Sequence, residues 1–89
     1  MSINHTLAHE LFLHRTALGY TQEEVSEMVD ISTRWYQELE NGRRIPNSCI
    51  FIRLLFVLEL DIEVFRECSG LNQNAVDRIK HNKATRKVL

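Results

Sequence analysis

"ALGYTQEEVSEMVDISTRWYQELENGRRIPN", residues 17–47, is punctuated as two short helices with very little chain between them. Thr21 reads as an N-cap, and Glu24, three residues on, completes a reciprocal capping box. A helix is predicted over Gln22–Val29, with Val25 and Met28/Val29 facing inward. Asp30 and Ile31 make a tight connection, and Ser32 caps a second helix, Thr33–Glu40. Asn41-Gly42 stops it, in residues that tolerate the left-handed backbone of a helix end. A loop, Arg43 to Pro46, leads to Asn47, another N-cap.

Helices flank this pair on both sides. Upstream, Leu7, Leu11, His14 and Leu18 recur at helical spacing within a segment from about Ile3 to Leu18, and Gly19 ends it. Downstream, Ser48–Leu58 form a very apolar fourth helix. Asp61 caps a short fifth, Ile62 to about Glu67. Gly70 breaks the chain, and Asn72 caps a sixth from Gln73 to about His81, with Ala75, Val76 and Ile79 as a thin apolar face. Lys83–Leu89 are expected to fray. With one Pro and three Gly in 89 residues, the chain lacks the punctuation of a many-turned β fold. The pattern predicts an all-α bundle.

Composition excludes several classes. The chain is 44% hydrophobic and 26% charged, as a globular domain is. Its longest apolar stretch, Ile50–Leu60, is broken by Arg53 and Glu59 and falls far short of the roughly 20 residues of a membrane span. The two cysteines, Cys49 and Cys68, make neither a disulfide framework nor a zinc site and are expected as small apolar fillers. His5 and His9 share a helix face, but no third ligand follows at suitable spacing, so a surface pair is expected and no metal. No nucleophile–base arrangement and no glycine-rich phosphate loop is present, so neither an enzyme nor a cofactor is expected. There is no signal-peptide core, and a reduced cytoplasmic setting follows. Eleven Lys+Arg stand against twelve Asp+Glu. All twelve acids and only six of the basic residues lie in residues 1–77, a balance of −6. Residues 78–89 hold Arg78, Lys80, Lys83, Arg86 and Lys87 and no acid, a balance of +5. Bulk charge therefore does not advertise a polyanionic partner, and any such partner must be argued from local pattern.

Two short helices joined by a tight turn and flanked by a helix on each side have the layout of a helix-turn-helix. The wording is more specific. Gly19–Gln22, Glu23-Glu24-Val25, Ile31-Ser32, Leu39-Glu40-Asn41-Gly42 and Arg43-Arg44 before Pro46 resemble the λ-repressor/Cro type of helix-turn-helix, the XRE family of transcriptional regulators. Leu54, Leu58 to Asp61 and Phe65 resemble that family's fourth and fifth helices, so the likeness spans roughly residues 7–66. It implies a five-helix λ-repressor-like DNA-binding domain over residues 1–67, with the sixth helix and basic tail in residues 68–89.

The resemblance also implies roles. Thr33, Arg34, Gln37 and Glu38 fall at base-reading positions. Arg34 is the foremost, because a guanidinium pairs bidentately with guanine O6 and N7, while Glu38 suits cytosine N4 and Thr33 a thymine methyl. Gln22, at the start of a helix, and Asn41, Arg43 and Arg44, past the end of the next, match phosphate-gripping positions, which set register without reading sequence. Gln22 in the family also braces the reading helix. Trp35 has two readings, contact with sugar–phosphate or completion of the core. Tyr36 and Leu39 match inward positions. Arg15 and Glu40 match an ion pair that holds the reading helix at its angle. The chain departs from the family at Asp30 (usually Gly), Ser26 (usually Ala), His14 (usually Leu) and Glu59 (usually Gly).

Surplus apolar surface points to assembly. A helix apolar on every side must be covered on every side. The Phe56 side of the fourth helix, with Cys49, Glu59 and Leu60, is expected to form a two-fold homodimer interface, and the sixth helix is expected to cover Phe12 and Leu13. The combined expectation is a transcriptional repressor that binds a pseudo-palindromic double-stranded operator as a dimer, with no membrane and no small-molecule ligand. The alternative is a protein-interaction module on the same fold, such as an antitoxin or adaptor. The basic tail has three readings: contact with DNA, folding back on Glu23, Glu24 and Glu27, or no role.

Overall fold

The computed structural model describes residues 2–87, and the side chains of residues 2–84. Five α-helices and two 3-10 turns follow one another: α1 (Ile3–Leu18), α2 (Gln22–Val29), α3 (Thr33–Glu40), α4 (Ser48–Leu58), the turns Ile62–Phe65 and Glu67–Ser69, and α5 (Gln73–Lys87). The expected caps are present. Thr21 Oγ1 accepts from the Glu24 N–H at 3.0 Å while Glu24 Oε1 accepts from the Thr21 N–H at 2.8 Å. Ser32 Oγ accepts from the Trp35 N–H and Asn47 Oδ1 from the Ile50 N–H, at 3.0 and 2.9 Å. Each satisfies a donor that the first helical turn leaves free. At the end of α3, Asn41 stays right-handed and Gly42, with φ of 76°, takes the left-handed position.

One core unites four helices and one turn. Leu7 and Leu11 of α1, Val25 and Val29 of α2, Tyr36 and Leu39 of α3, and Ile50, Leu54 and Leu58 of α4 are buried with Phe65. Phe65 meets Phe51 edge to face at 5.6 Å. Only the Ile50–Leu54–Leu58 stripe of α4 is fully inside. Phe56, on the other side, is 80% exposed.

Five expectations are corrected. The fifth helix, expected as one unit to Glu67, is two 3-10 turns. Its β-branched Ile62 and Val64 disfavour an α-helix. Bonds at i→i+3, such as Val64 N–H to Asp61 O at 3.2 Å, seat Phe65 in the core within one turn. The last helix does not stop near His81 but continues through Lys83 to Lys87, and the rest of the expected frayed end, residues 88–89, lies outside the described residues. The helix does not cover α1, and Phe12 and Leu13 stay 49% and 44% exposed. Leu18 and Met28, expected inside, are exposed, because α1 runs one turn past His14, where it meets the end of α4. Cys49 is exposed on α4, whereas Cys68 is half-buried with its thiol on the Phe65 carbonyl.

The Cα radius of gyration is 16.3 Å. A compact chain of this length has about 12 Å. The excess, and a long axis of 51 Å, reflect the projection of α5 from the bundle.

Two non-glycine residues adopt left-handed backbone, Asp30 (φ 61°) and Glu59 (φ 53°). Glu59 is exposed and ends α4, where the next N–H, that of Leu60, bonds the Leu55 carbonyl at 3.1 Å. A side chain in this region costs about 1–2 kcal/mol. Glu59→Gly is therefore expected to stabilise the fold by about 1 kcal/mol and raise the melting temperature by several degrees, measured by urea and thermal unfolding.

Candidate nucleic-acid interface

Helices α2 and α3 are fastened across their turn by two contacts, and α4 closes the end of α2. Ser26 is buried, and its hydroxyl lies 3.2 Å from that of Thr33 while bonding the Glu23 carbonyl at 2.8 Å. The Ile31 N–H bonds the Ser26 carbonyl at 3.0 Å. Arg53 Nη1, reaching from α4, donates to the Val29 carbonyl at 3.0 Å, which closes the C-terminal end of α2. Arg53 was not among the residues singled out from sequence. Its signal was present: it is the one charge between Cys49 and Leu58. His14 acts in a similar way at the other end of α4, with Nδ1 2.9 Å from the Leu58 carbonyl.

The pitch of α3 against α1 is held by Arg15 and Glu40, the pair expected from sequence. Arg15 Nε and Nη2 donate to Glu40 Oε2 and Oε1 at 2.8 and 2.7 Å, and Arg15 Nη1 donates to the Tyr20 carbonyl at 3.0 Å. The two side chains are only 13% and 6% exposed. Gln22 Nε2 donates to the same carboxylate at 3.2 Å, and Gln37 Nε2 donates to Gln22 Oε1 at 3.2 Å. The bracing expected of Gln22 is therefore present, and its amide is engaged on both atoms. The Tyr36 hydroxyl is buried beside this group with no hydrogen bond of ordinary geometry among the described residues. Burial, then the Glu40 carboxylate, pushes its pKa far above the phenol range.

The outer surface of α3 and the following loop present Arg34, Gln37, Asn41, Arg43 and Arg44 to solvent. Arg34 is 90% exposed. Glu38 sits between two cations, with Oε1 3.8 Å from Arg34 Nε and Oε2 3.9 Å from Arg44 Nε. Such long, wet pairs contribute well under about 1 kcal/mol and are readily exchanged for another anion. Arg44 also lies over the Trp35 ring, 5.5 Å from its centroid. Trp35 is half-buried and packs against the core on its other side. Thr33 is half-buried, its hydroxyl turned to Ser26. The sequence thus named the exposed residues of α3 and its following loop; Arg34–Glu38 has the i,i+4 spacing of a helix pair, while Glu38–Arg44 and Arg44 on Trp35 are contacts that spacing alone does not reveal. No group of three or more metal-ligating side chains is assembled among the described residues.

The Glu40 carboxyl makes stability depend on acid. Burial pushes its pKa up, but the hydrogen bonds from Arg15 and Gln22, the nearby Tyr36 hydroxyl and the Arg15 charge outweigh this and hold it below the ordinary carboxylate range. A carboxyl with a depressed folded pKa stabilises fully above its unfolded value, about 4.3, and loses that contribution as pH falls through the folded value. Unfolding free energy from urea titrations is expected to fall with pH below about 4.3. Glu40→Gln is expected to be less stable at neutral pH and to show a shallower acid slope, because the titrating group is gone.

Residues 13–65 match the helix-turn-helix family model HTH_3. Over 66 residues, covering 72% of this chain and 87% of the relative, the sequence is 32% identical to an uncharacterized HTH-type transcriptional regulator, YqaF, of Bacillus subtilis (strain 168). The crystal structure of the clp gene regulator ClgR from Corynebacterium glutamicum superposes with a TM-score of 0.64 at 24% identity, covering 92% of this chain and 86% of that one. That likeness is one of fold. The capped α2–α3 pair and the family match agree, and this chain belongs to the helix-turn-helix family, in its XRE-type branch.

Proposed function

We propose that this protein is a DNA-binding transcriptional regulator, acting as a repressor, which reads the major groove with α3 and binds a pseudo-palindromic operator as a homodimer. The observation that carries the reading is the outward face of α3. Its inner residues, Tyr36 and Leu39, are buried, its angle is held by the Arg15–Glu40 pair, and Arg34 projects 90% exposed. A helix of this width fits the major groove, where each base pair presents a distinct set of donors and acceptors.

In this reading Arg34, Gln37 and Glu38 face base edges, with Thr33 at the entry of the helix. Arg43, Arg44 and Asn41 grip phosphates on one flank, with Trp35 behind Arg44. On the other flank the first-turn N–H groups of α2 that the capping box leaves unused, those of Gln22 and Glu23, donate to a phosphate. Glu38 holds Arg34 and Arg44 until base edges and phosphates replace it. The work is binding, not catalysis, and it is done in the cytoplasm where the DNA is. The dimer forms through the α4 edge that carries Cys49 and Phe56, with Glu59 and Leu60. An 80% exposed phenylalanine on an apolar helix favours burial against a second copy. Half-sites are then about one DNA turn, roughly 34 Å, apart.

Selection of bound duplexes from a random pool tests binding, symmetry and spacing together. It is expected to return a two-fold symmetric site. Recovery of no sequence, with a stoichiometric protein partner on purification, would favour the antitoxin or adaptor alternative. On the selected site, Arg34→Ala is expected to cost about 1–3 kcal/mol and relax preference at one base position. Arg43→Ala is expected to weaken all sequences alike and reduce the salt dependence of binding. Identical behaviour of the two variants across a panel of sequences would refute the division of roles. Phe56→Arg is expected to shift sedimentation from dimer to monomer; a strict monomer of the unaltered chain at high micromolar concentration would refute the dimer.

A further inference from the structure

Helix α5 is the part of the molecule that the α3 face does not use. Its root is tied down: the Ala75 N–H bonds Asn72 Oδ1 at 3.0 Å, and Arg66 Nη1 donates to Gln73 Oε1 at 3.2 Å. Ala75 and Val76 are half-buried, but every residue from Asp77 to Ala84 is exposed, Ile79 included. Fifteen residues extend about 22 Å. Beyond Ile79 no apolar residue larger than Ala84 is exposed or buried on the described part of the helix, so hydrophobic burial does not hold its outer half to the body. That half carries the charge. Residues 78–89 have five Lys/Arg and no acid, while the rest of the chain stands at −6. Arg78, Lys80 and Lys83 make no ion pair within 4 Å among the described residues. Glu63, whose charge Lys80 feels, is already held by Arg66 at 2.7 Å.

The position of this helix is as informative as its charge. Ile3, in the first turn of α1, lines one hollow with Ile45 and Pro46 and the adjoining hollow with Ser69 and Leu71. Asn4 Nδ2 donates to the Gly42 carbonyl at 3.4 Å. The root of α5 and the Arg43–Arg44 loop therefore flank the same turn of α1, at the same end of the bundle. At that end the α3 surface offers three cations, two of them shared with Glu38. For a polyanionic duplex approaching an acidic body, this is a small attraction.

We propose that the basic half of α5 is a second, sequence-independent contact with the DNA backbone, lying beside the phosphates gripped by the Arg43–Arg44 loop. It rests on the DNA-binding reading above and adds to it where affinity comes from. Cations that neutralise phosphates release condensed counterions, which steepens the salt dependence by about 0.9 per contact on duplex DNA. Such contacts hold the protein on any sequence, and discrimination stays with α3.

The test compares the full chain with a Arg78→Gln/Lys80→Gln/Lys83→Gln variant, since Gln keeps helix propensity while removing charge. Binding to the pool-selected duplex and to a random-sequence duplex is followed by fluorescence anisotropy across a salt series, with sedimentation in parallel. The variant is expected to lose about 1–3 units of log–log salt slope and at least about tenfold in affinity, equally for both duplexes, at unchanged sedimentation. Charge reversal, Lys80→Glu/Lys83→Glu, is expected to deepen the loss. An unchanged slope with intact binding overturns the role of α5 and leaves the α3 reading standing. A fall in sedimentation overturns it in favour of α5 bridging to the acidic 59–67 stretch of a second copy. If the full chain binds neither duplex, the DNA-binding reading fails and this inference with it.

Discussion

The bidentate contact between Arg15 and Glu40 is the constraint on which the working surface depends. It joins α1 to the last residue of α3. A half-enclosed ion pair of this kind adds little net stability, because desolvation offsets the attraction, but it penalises any arrangement that parts the charges. Gln22 hangs from the same carboxylate, and Gln37 from Gln22, so the chain of hydrogen bonds runs from α1 through α2 to the exposed side of α3. Tyr36 and Leu39 press the opposite side of α3 into the core. An eight-residue helix has little stability of its own. Here its orientation is imposed from below by packing and from its C-terminal end by charge.

Electrostatics sets the second theme. The body of the chain is acidic, and the α3 face gathers its cations locally. Glu38 lies among them at salt-bridge limits of distance, and Arg44 is steadied from behind by the Trp35 ring. A face of this kind favours partners that offer both anionic groups and specific hydrogen-bond edges, since the carboxylate opposes anything that offers charge alone. Five of the eleven Lys/Arg are collected in α5, on a helix with almost no apolar stripe that stands clear of the bundle. Charge separation between body and tail is visible in composition, but its physical expression is the projecting helix.

Apolar surface is the third. α4 was read as apolar all round, and it is, yet the fold fully buries only the Ile50–Leu54–Leu58 stripe and half-covers Phe51, Leu55 and Val57. Phe56, Ile52 and Cys49 remain outside, as do Phe12 and Leu13 on α1. The sixth helix was expected over the α1 patch, since an apolar side needs a cover. It is not there, because a helix this polar gains nothing by lying on it. Both patches stay exposed on the chain, and the α4 edge holds Phe56, the more exposed of the phenylalanines at 80%.

How much was legible in the residues varied with the range of the forces involved. Helix boundaries from α1 to α4, the capping box at Thr21, the stops at Gly19 and Gly42, and the left-handed Asp30 all follow from interactions within a turn or two of chain, so their signals lie side by side in sequence. The Arg15–Glu40 pair was legible only through resemblance, since 25 residues separate its members. Arg53 on the Val29 carbonyl, His14 on the Leu58 carbonyl, Arg44 reaching back to Glu38 and the Arg44–Trp35 stack depend on where helices and loops come to rest. So do the outward turn of Leu18 and Met28, the 3-10 form of the segment that seats Phe65, and the projection of α5. Local pattern specifies which residues become helix and which side of each is apolar. Which apolar sides find a partner, and which polar groups meet across tens of residues, is decided only when the helices pack, because burial and ion pairing act between surfaces that the linear chain never places together.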